Sequence, residues 1–466
     1  MTDGGLAAVG VGALRRVRGA CVRIEVPGWF DPQDVFSVLF GAESASFWFE
    51  GELIGDSVWM GAASPDSCVA VGNPSTGEVH VTASGRRSRL SGTVSDLLSE
   101  LRPGDGVKEN SLGWVGWVGY DSASLNATLP VRADAREDSV LFVADRVVRF
   151  DIAHRRMWIH AVRSDADWVQ YALAALQSSA IPVAPRATTE PVSTPGLGPG
   201  EYAAAFARVQ NAIEHGEVYV TCLTDRLRVI DAGTPAAAFA AIRRSSAGVL
   251  RAIIRGGDTT LVSASTETFL AVNGREVVSR PVKGTRARHR DEVLDRAAAD
   301  QLAVDSKELA ENVMIVDLLR NDLSRVCSLG SIDVVELLRV ESRAHVHQLV
   351  STIRGNLKED ISLAELLGAL LPAGSMTGAP KRAAVGLISE IEASPRGEYA
   401  GALGWFGAGG AARLAMTIRT IVFKGSAATI GTGGGVTACS DRGAEQDELV
   451  LKAVSLLDAI RPVAVV

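Results

Sequence analysis

The hydrophobic and polar positions of this chain follow two different rhythms. Up to about residue 180 they come as short alternating or β-rich runs, "ASFWFEGEL", "EVHVTA" and "RMWIHAV" among them, and seven of the eight tryptophans fall there. From about residue 200, segments with apolar residues at helical spacing alternate with strand-like runs. "GEYAAAFARVQNAIEHGE" predicts a helix with Gly216 as its C-cap. "DEVLDRAAADQLAVDSKELAENVMIVDLLRNDLSRV" predicts a long helical stretch with a break and a new N-cap near Asp305 and Ser306. "AELLGALL", "PKRAAVGLISEIE" and "AEQDELVLKAVSLLDAI" are further helices. The runs "GVLRAIIRGG", "TTLVSAS", "GREVVSRPV", "ALGWFGA", "ARLAMTIRTIVF" and "AATIGTGGGVTA" have strand character. Between the two rhythms lies a stretch holding Pro182, Pro185, Pro191, Pro195 and Pro199, which reads as an exposed linker or a long surface crossing. The expected organisation is a β-rich part over 1–180, a proline-rich linker over 181–200 and a mixed part over 201–466. The class is α+β with largely antiparallel strands, and no repeat of solenoid period is present.

Composition narrows the function classes. A chain of 466 residues can bury a large core in one two-lobed unit or two to three domains. A net charge of -7 argues against nucleic acid as the main partner and leaves room for a small anion at a local basic patch. Cys21, Cys68, Cys222, Cys327 and Cys439 are widely spaced with no CxxC, and the seven histidines include no HExxH, so neither a disulfide framework nor a zinc site is suggested. At the N-terminus an acidic residue precedes the apolar run Gly5–Leu14, with Arg15 and Arg16 after it, the wrong charge order for a secretory signal. No uninterrupted apolar stretch reaches membrane-spanning length. The expectation is a reduced, cytoplasmic protein acting on a small anion, with neither nucleic acid nor membrane as partner.

Five features could carry chemistry. In "VVSRPVKGTRARHRD", Lys283 stands among Arg280, Arg286 and Arg288, either in a solvated basic loop or as an amine whose pKa like charges depress into nucleophilic range. Glu308 with Glu311, and Glu445 with Glu448, are spaced i, i+3 on predicted helices, so each pair shares a face. Such pairs often decorate solvated surfaces, yet two facing helices carrying them would offer oxygen ligands to Mg²⁺. "GTGGGVTACSD" and "PAGSMTGAPK" read as glycine-rich turns whose backbone N–H groups could bind carboxylates or phosphates. Arg419 lies in an otherwise apolar strand, as an edge residue in solvent or as a bidentate clamp. Glu267 in "SASTETFL" could be a buried general acid with a raised pKa.

Taken in order, "SRPVKGT", "KELAENVMIVDLLRNDLSRVC", "VHQLVSTIRG", "LPAGSMTGAPK", "PRGEYAGALGW", "TIRT" and "GTGGGVTACSD" resemble the chorismate-utilising enzymes, the family of anthranilate synthase component I and aminodeoxychorismate synthase component I. The likeness runs from about Glu201 to Ile460, with "SVWMG" and "LGWVGWVGYD" adding a weaker match upstream. It implies two large antiparallel sheets packed as a central sandwich with helices outside. It also implies Lys283 as nucleophile, Glu267 as acid, Thr285 positioning the substrate and His347 assisting. Tyr399, Arg419 and the backbone of Gly433, Gly434 and Gly435 would bind chorismate. Glu311 and Glu448, with Glu308 and Glu445 near them, would hold Mg²⁺. A lysine at the position of Lys283 is typical of the aminodeoxychorismate branch and an alanine of the anthranilate branch, so the resemblance implies amination of chorismate for p-aminobenzoate and folate. A separate glutamine amidotransferase subunit would supply ammonia. The sequence departs from the family pattern at Thr266, where proline is usual, at Val220, where a polar residue is usual, and at Arg442, where proline is common; Gln348 stands where the anthranilate branch carries its histidine. The alternatives are an anthranilate or other chorismate-utilising synthase and a catalytically silent chorismate-binding protein. A tryptophan pocket in the N-terminal lobe and the oligomeric state are left open.

Overall fold

The computed structural model describes residues 4–19, 21–55, 57–104, 112–132, 134–178, 192–194, 196–245 and 248–461. Two large sheets, all of whose pairings are antiparallel, form the body. The first runs from Cys21–Glu25 through Arg156–Val162, Arg146–Asp151, Ser57–Ala62, Ser46–Gly51, Leu250–Gly256, Thr259–Ser265, Thr420–Lys424 and Ala427–Thr437 to Val220–Ile230 and Val192–Thr194. The second runs from Val282–Ala287 through Val346–Asn356, Glu276–Arg280, Thr268–Asn273, Ala412–Met416, Ala402–Gly407, Gly113–Val118, Ser139–Ala144 and Val69–Asn73 to Glu78–Ala83 and Arg86–Ser91.

Both sheets cross the proline-rich stretch in sequence without interruption in space. In the first, Phe49 of the N-terminal part pairs with Ala252; in the second, Trp117 pairs with Leu403. Residues 181–191 and Pro195 of that stretch lie outside the described residues, while Val192–Thr194 adds a short strand beside Arg228–Ile230. The inner faces meet in one apolar core, where Trp59 of the first sheet stands edge-on to Trp405 of the second at 5.3 Å. Helices cover the outside of the first sheet through Val35, Phe36, Phe239, Ile242, Leu456 and Ile460.

Local chemistry explains the helix boundaries. Gly216 adopts φ +73° just past the helix Pro199–Glu214. The long helical stretch breaks where expected: Asp305 ends Glu292–Val304 and caps Ser306–Ser324, its carboxylate accepting from the N–H groups of Lys307 and Glu308. Ile315, Leu319 and Leu323 then bury one face of the second helix, which aims its first turn at the second sheet. Among the described residues no helix is long and apolar enough to cross a membrane, and all five cysteines are free.

Candidate active site

Lys283 lies on Val282–Ala287, opposite Leu349, next to a bulge at Gly284. Gly284 has φ +76°, and a Cβ there would come within 2.8 Å of Leu302 and 3.1 Å of Glu308, so the glycine lets the helix carrying Glu308 and Glu311 press onto the lysine strand. Lys283 Nζ comes to 4.0 Å from Glu311 Oε2. The helix Arg442–Ile460 brings the second pair of carboxylates. Glu445 is fully buried, accepts from Ser440 Oγ at 2.7 Å and pairs with Lys307 Nζ at 2.7 Å; Lys307 also stands 3.9 Å from Glu311. Glu448 pairs with Lys452 at 2.7 Å. The two spaced pairs thus do face one another.

Burial and the neighbouring carboxylates raise the pKa of both Glu308 and Glu311. Four carboxylates in one corner are the oxygen donor set of a hard divalent cation. Among the described residues, however, no three histidine, cysteine, aspartate or glutamate side chains are gathered tightly enough to hold a metal ion as they stand. Lys307 reaches in between Glu445 and Glu311, so a cation entering here would take over carboxylates that an ammonium group now satisfies.

The arginines around Lys283 do not act as expected. Arg280 pairs with Glu52 and Glu341, Arg286 with Asp305 and Glu308, and Arg288 with Asp295. Each guanidinium is spent on a carboxylate of its own. Burial by itself lowers the pKa of Lys283, but Glu311, then Cys222, Glu267 and Glu308, outweigh it, and the net shift is upward. Opposite charge stands nearer to the amine than like charge does.

Glu267 sits between Thr259–Ser265 and Thr268–Asn273, held through its backbone by Met416, whose N–H donates to the Glu267 carbonyl at 3.2 Å. Its buried carboxyl accepts from Ser375 Oγ at 3.0 Å. Burial pushes its pKa up to about 7, against the lowering pull of Lys283 and Ser375. An acid that is half protonated at neutral pH is what general acid catalysis needs.

The glycines of "GTGGGVTACSD" belong to a strand, Ala427–Thr437, as the β-type run "AATIGTGGGVTA" predicts and not as the turn the glycine cluster also suggests. Glycine normally weakens strands; here it is required by close approach. A Cβ on Gly431 would lie 2.2 Å from the Tyr399 ring and one on Gly433 2.8 Å from Thr224 Cγ2. Pairing with Thr420–Lys424 ends at Ile430, so one edge of the glycine segment is open. The Thr224 N–H goes to Glu392 and that of Cys222 to Thr377, which leaves Leu223 and Gly434 as the hydrogen-bonded pair. Gly433 and Gly435 therefore turn their backbone groups to the open edge, where Lys452 Nζ meets the Gly433 carbonyl at 2.7 Å, and Gly434 does not. Val220 lines the same face: a Cβ on Gly435 would lie 3.6 Å from Val220 Cγ2 and 3.5 Å from Glu311 Oε2.

Tyr399 is buried against Gly431, and Arg419 is near enough for their charges to interact. Arg419 lies in the break between Ala412–Met416 and Thr420–Lys424, at φ +49°, rather than within a strand, and donates to the Lys452 carbonyl at 3.0 Å. His347 stands opposite Arg286 on the neighbouring strand, and its ring nitrogens meet Ser342 Oγ at 2.9 Å and Asp295 at 3.0 Å. Its neighbour Gln348, opposite the exposed Thr285, points to the other side of the strand. Lys307, Lys452 and Ser375 are site residues that are not among the candidates named from the sequence, although Lys307 opens "KELAEN", Lys452 is the i+4 partner of Glu448 and Ser375 lies inside "PAGSMTGAPK".

Comparison with known proteins fits this arrangement. The family model described as chorismate binding enzyme matches residues 62–458. The chain belongs to that family. A relative named aminodeoxychorismate synthase from Streptomyces pristinaespiralis is 36% identical over 465 residues, covering 92% of this chain and 64% of its own length. Anthranilate synthase component 1 of Streptomyces coelicolor is 33% identical over 394 residues, covering 80% of this chain and 77% of its own. The crystal structure of anthranilate synthase component I from Streptococcus pneumoniae TIGR4 superposes with a TM-score of 0.75 at 24% identity over 94% of this chain and 99% of that one, a likeness of fold. The chain thus shares the family's fold, and it spans just under two thirds of the first relative's length.

Proposed function

We propose that this chain aminates chorismate, converting it with ammonia into 4-amino-4-deoxychorismate on the way to p-aminobenzoate and folate. The observation that carries the reading is the half-buried amine of Lys283 facing the carboxylate corner with the raised-pKa acid Glu267 close enough to feel its charge. Lys283, as the neutral amine, adds through its nitrogen at C2 of the ring, the two conjugated double bonds shift from C1=C2 and C5=C6 to C1=C6 and C4=C5, and the C4–O bond breaks as Glu267 gives its proton to the departing hydroxyl, which leaves as water. Ammonia then adds at C4, both double bonds shift back, and the C2–N bond to Lys283 breaks, restoring the neutral amine and leaving the product nitrogen as an ammonium. Glu311 and Glu448, with Glu308 and Glu445 beside them, would hold Mg²⁺, which when bound supplies positive charge for the ring carboxylate and offsets the carboxylates that keep Lys283 protonated. Gly433 and Gly435 offer backbone N–H groups at the open strand edge, and Tyr399 and Arg419 take the enolpyruvyl carboxylate. A glutamine amidotransferase partner would deliver the ammonia, and the cytoplasm is the expected compartment.

The test is incubation with chorismate, Mg²⁺ and ammonium at mildly alkaline pH, wild type beside Lys283→Ala, with products read by mass spectrometry. Aminodeoxychorismate from wild type and its loss in the variant are expected. Anthranilate from wild type would move the chain to the tryptophan branch, and absence of any product would leave chorismate binding alone.

A further inference from the structure

Beneath the cleft lies a buried ion pair that the reaction itself does not use. Arg396 and Glu392 are 3% and 5% exposed. Arg396 Nε donates to Glu392 Oε2 at 2.9 Å and Nη2 to Glu392 Oε1 at 2.6 Å, the two-pronged geometry of a strong pair. The same guanidinium donates to the carbonyls of Met376 and, at 2.6 Å, Cys222, and stacks 4.6 Å from the centre of the Tyr120 ring. Glu392 accepts from the N–H and Oγ1 of Thr224 at 3.0 and 2.8 Å.

Each of these contacts ends one step from a group of the site. Met376 follows Ser375, which holds the carboxyl of Glu267. Cys222 and Thr224 belong to the strand that backs Gly435 and Gly433, and Thr224 Cγ2 is the atom against which Gly433 is packed. Arg396 itself opens the turn to Tyr399, whose N–H donates to the Arg396 carbonyl at 3.2 Å, while Arg226 donates to the carbonyls of Pro395 and Arg396. A buried ion pair is weak evidence for stability, because apolar residues of similar volume often stabilise as well or better. An apolar pair could fill this space, but it could not tie two separate backbone segments, at Met376 and at Cys222 and Thr224, to the turn that leads to Tyr399 by directed hydrogen bonds.

We propose that Arg396 and Glu392 are the positioning pair of this site, fixing Glu267, the glycine strand and Tyr399 relative to one another without touching substrate. The inference rests on the roles given above to Glu267 and Tyr399. The pair acts through those groups, so its removal costs turnover rather than folding. Misplacement of reacting groups by about 1 Å is enough to cost on the order of 100-fold.

The experiment compares wild type, Glu267→Gln, the double variant Glu392→Met/Arg396→Met, and that double variant carrying Glu267→Gln as well. Melting temperature, and kcat and KM for chorismate with ammonium and Mg²⁺, are measured for each. The expected result is a double variant that melts cooperatively no earlier than wild type, loses at least about tenfold in kcat, and is harmed much less by Glu267→Gln than wild type is. A folded double variant with wild-type kcat, or fully additive losses, overturns the positioning role. Where the double variant does not fold, Arg396→Lys, which keeps the charge but not the fork, decides: it is expected to fold and lose kcat, and wild-type turnover overturns the proposal. If Glu267→Gln alone turns over like wild type, it is the reading of the site that fails, whatever the pair does.

Discussion

The two ends of the cleft solve the problem of buried charge in opposite ways. At the Lys283 end, Glu311 meets its ammonium partners only at 3.9 and 4.0 Å, and the pKa values of Glu308 and Glu311 are raised. Around Arg396 the carboxylate contacts are 2.6 to 2.9 Å, and burial is outweighed by Glu392, so that the guanidinium is held even more firmly charged than usual. In the first, Glu308 and Glu311 are loosely matched beside the closer pairs Glu445–Lys307 and Glu448–Lys452 at 2.7 Å. The second is closed on itself and can hold still. The proposed reaction, which binds a dianion and aims an acid, would draw on both.

The contrast is sharpest where chemistry is removed. Glu267→Gln is expected to lower turnover by about 10²–10⁴-fold, the usual span for a general acid. Because Glu267 titrates near 7 and must be protonated to act, wild-type kcat should fall as pH rises through that region, and the variant should lose that limb. A pH–rate profile of both proteins checks it. Next in size is stability: Arg396→Met alone leaves Glu392 buried and unpaired and should cost about 3–5 kcal/mol in denaturant unfolding. Glu311→Gln, which removes a charge that burial disfavours at the Lys283 end, should leave stability unchanged or higher while it impairs activity. Equal losses from the two would erase the distinction between the ends.

A smaller effect is expected from Gly431→Ala, whose Cβ would fall 2.2 Å from the Tyr399 ring. Forcing that contact should cost about 1–3 kcal/mol and raise the KM for chorismate by displacing Tyr399. The smallest concerns the His347–Asp295 contact. Arg288 and the His289 N–H hold the Asp295 carboxyl well below the usual carboxylate range. A depressed native pKa adds stability above the unfolded pKa that is lost as pH falls towards the folded one. Asp295→Asn should therefore melt slightly below wild type at neutral pH, with the gap closing in acid and kcat nearly unchanged. A large loss of kcat would restore His347 to the machinery.

Much of the fold was legible. The helix break at Asp305 and the cap at Gly216 follow from short-range chemistry, and the i, i+3 glutamates share faces because helical geometry leaves no other choice. The glycine strand was legible as a β-type run, but the reason for its glycines was not: only Tyr399 and Thr224, remote in sequence, explain why nothing larger fits. The basic cluster misled for the same reason: Glu52, Glu341 and Asp295, which neutralise Arg280 and Arg288, come from other strands and helices.

By itself the sequence determined the elements, the acid and amine available for chemistry, and the motifs of the chorismate-binding family, because these depend on neighbours within a few residues. Only the tertiary structure decided which charges meet. The state of Lys283, the direction of His347, the need for glycine in its strand and the pair beneath it are set by segments that lie far apart along the chain. Electrostatics at a few ångströms depends on where atoms are, and sequence distance carries no record of that.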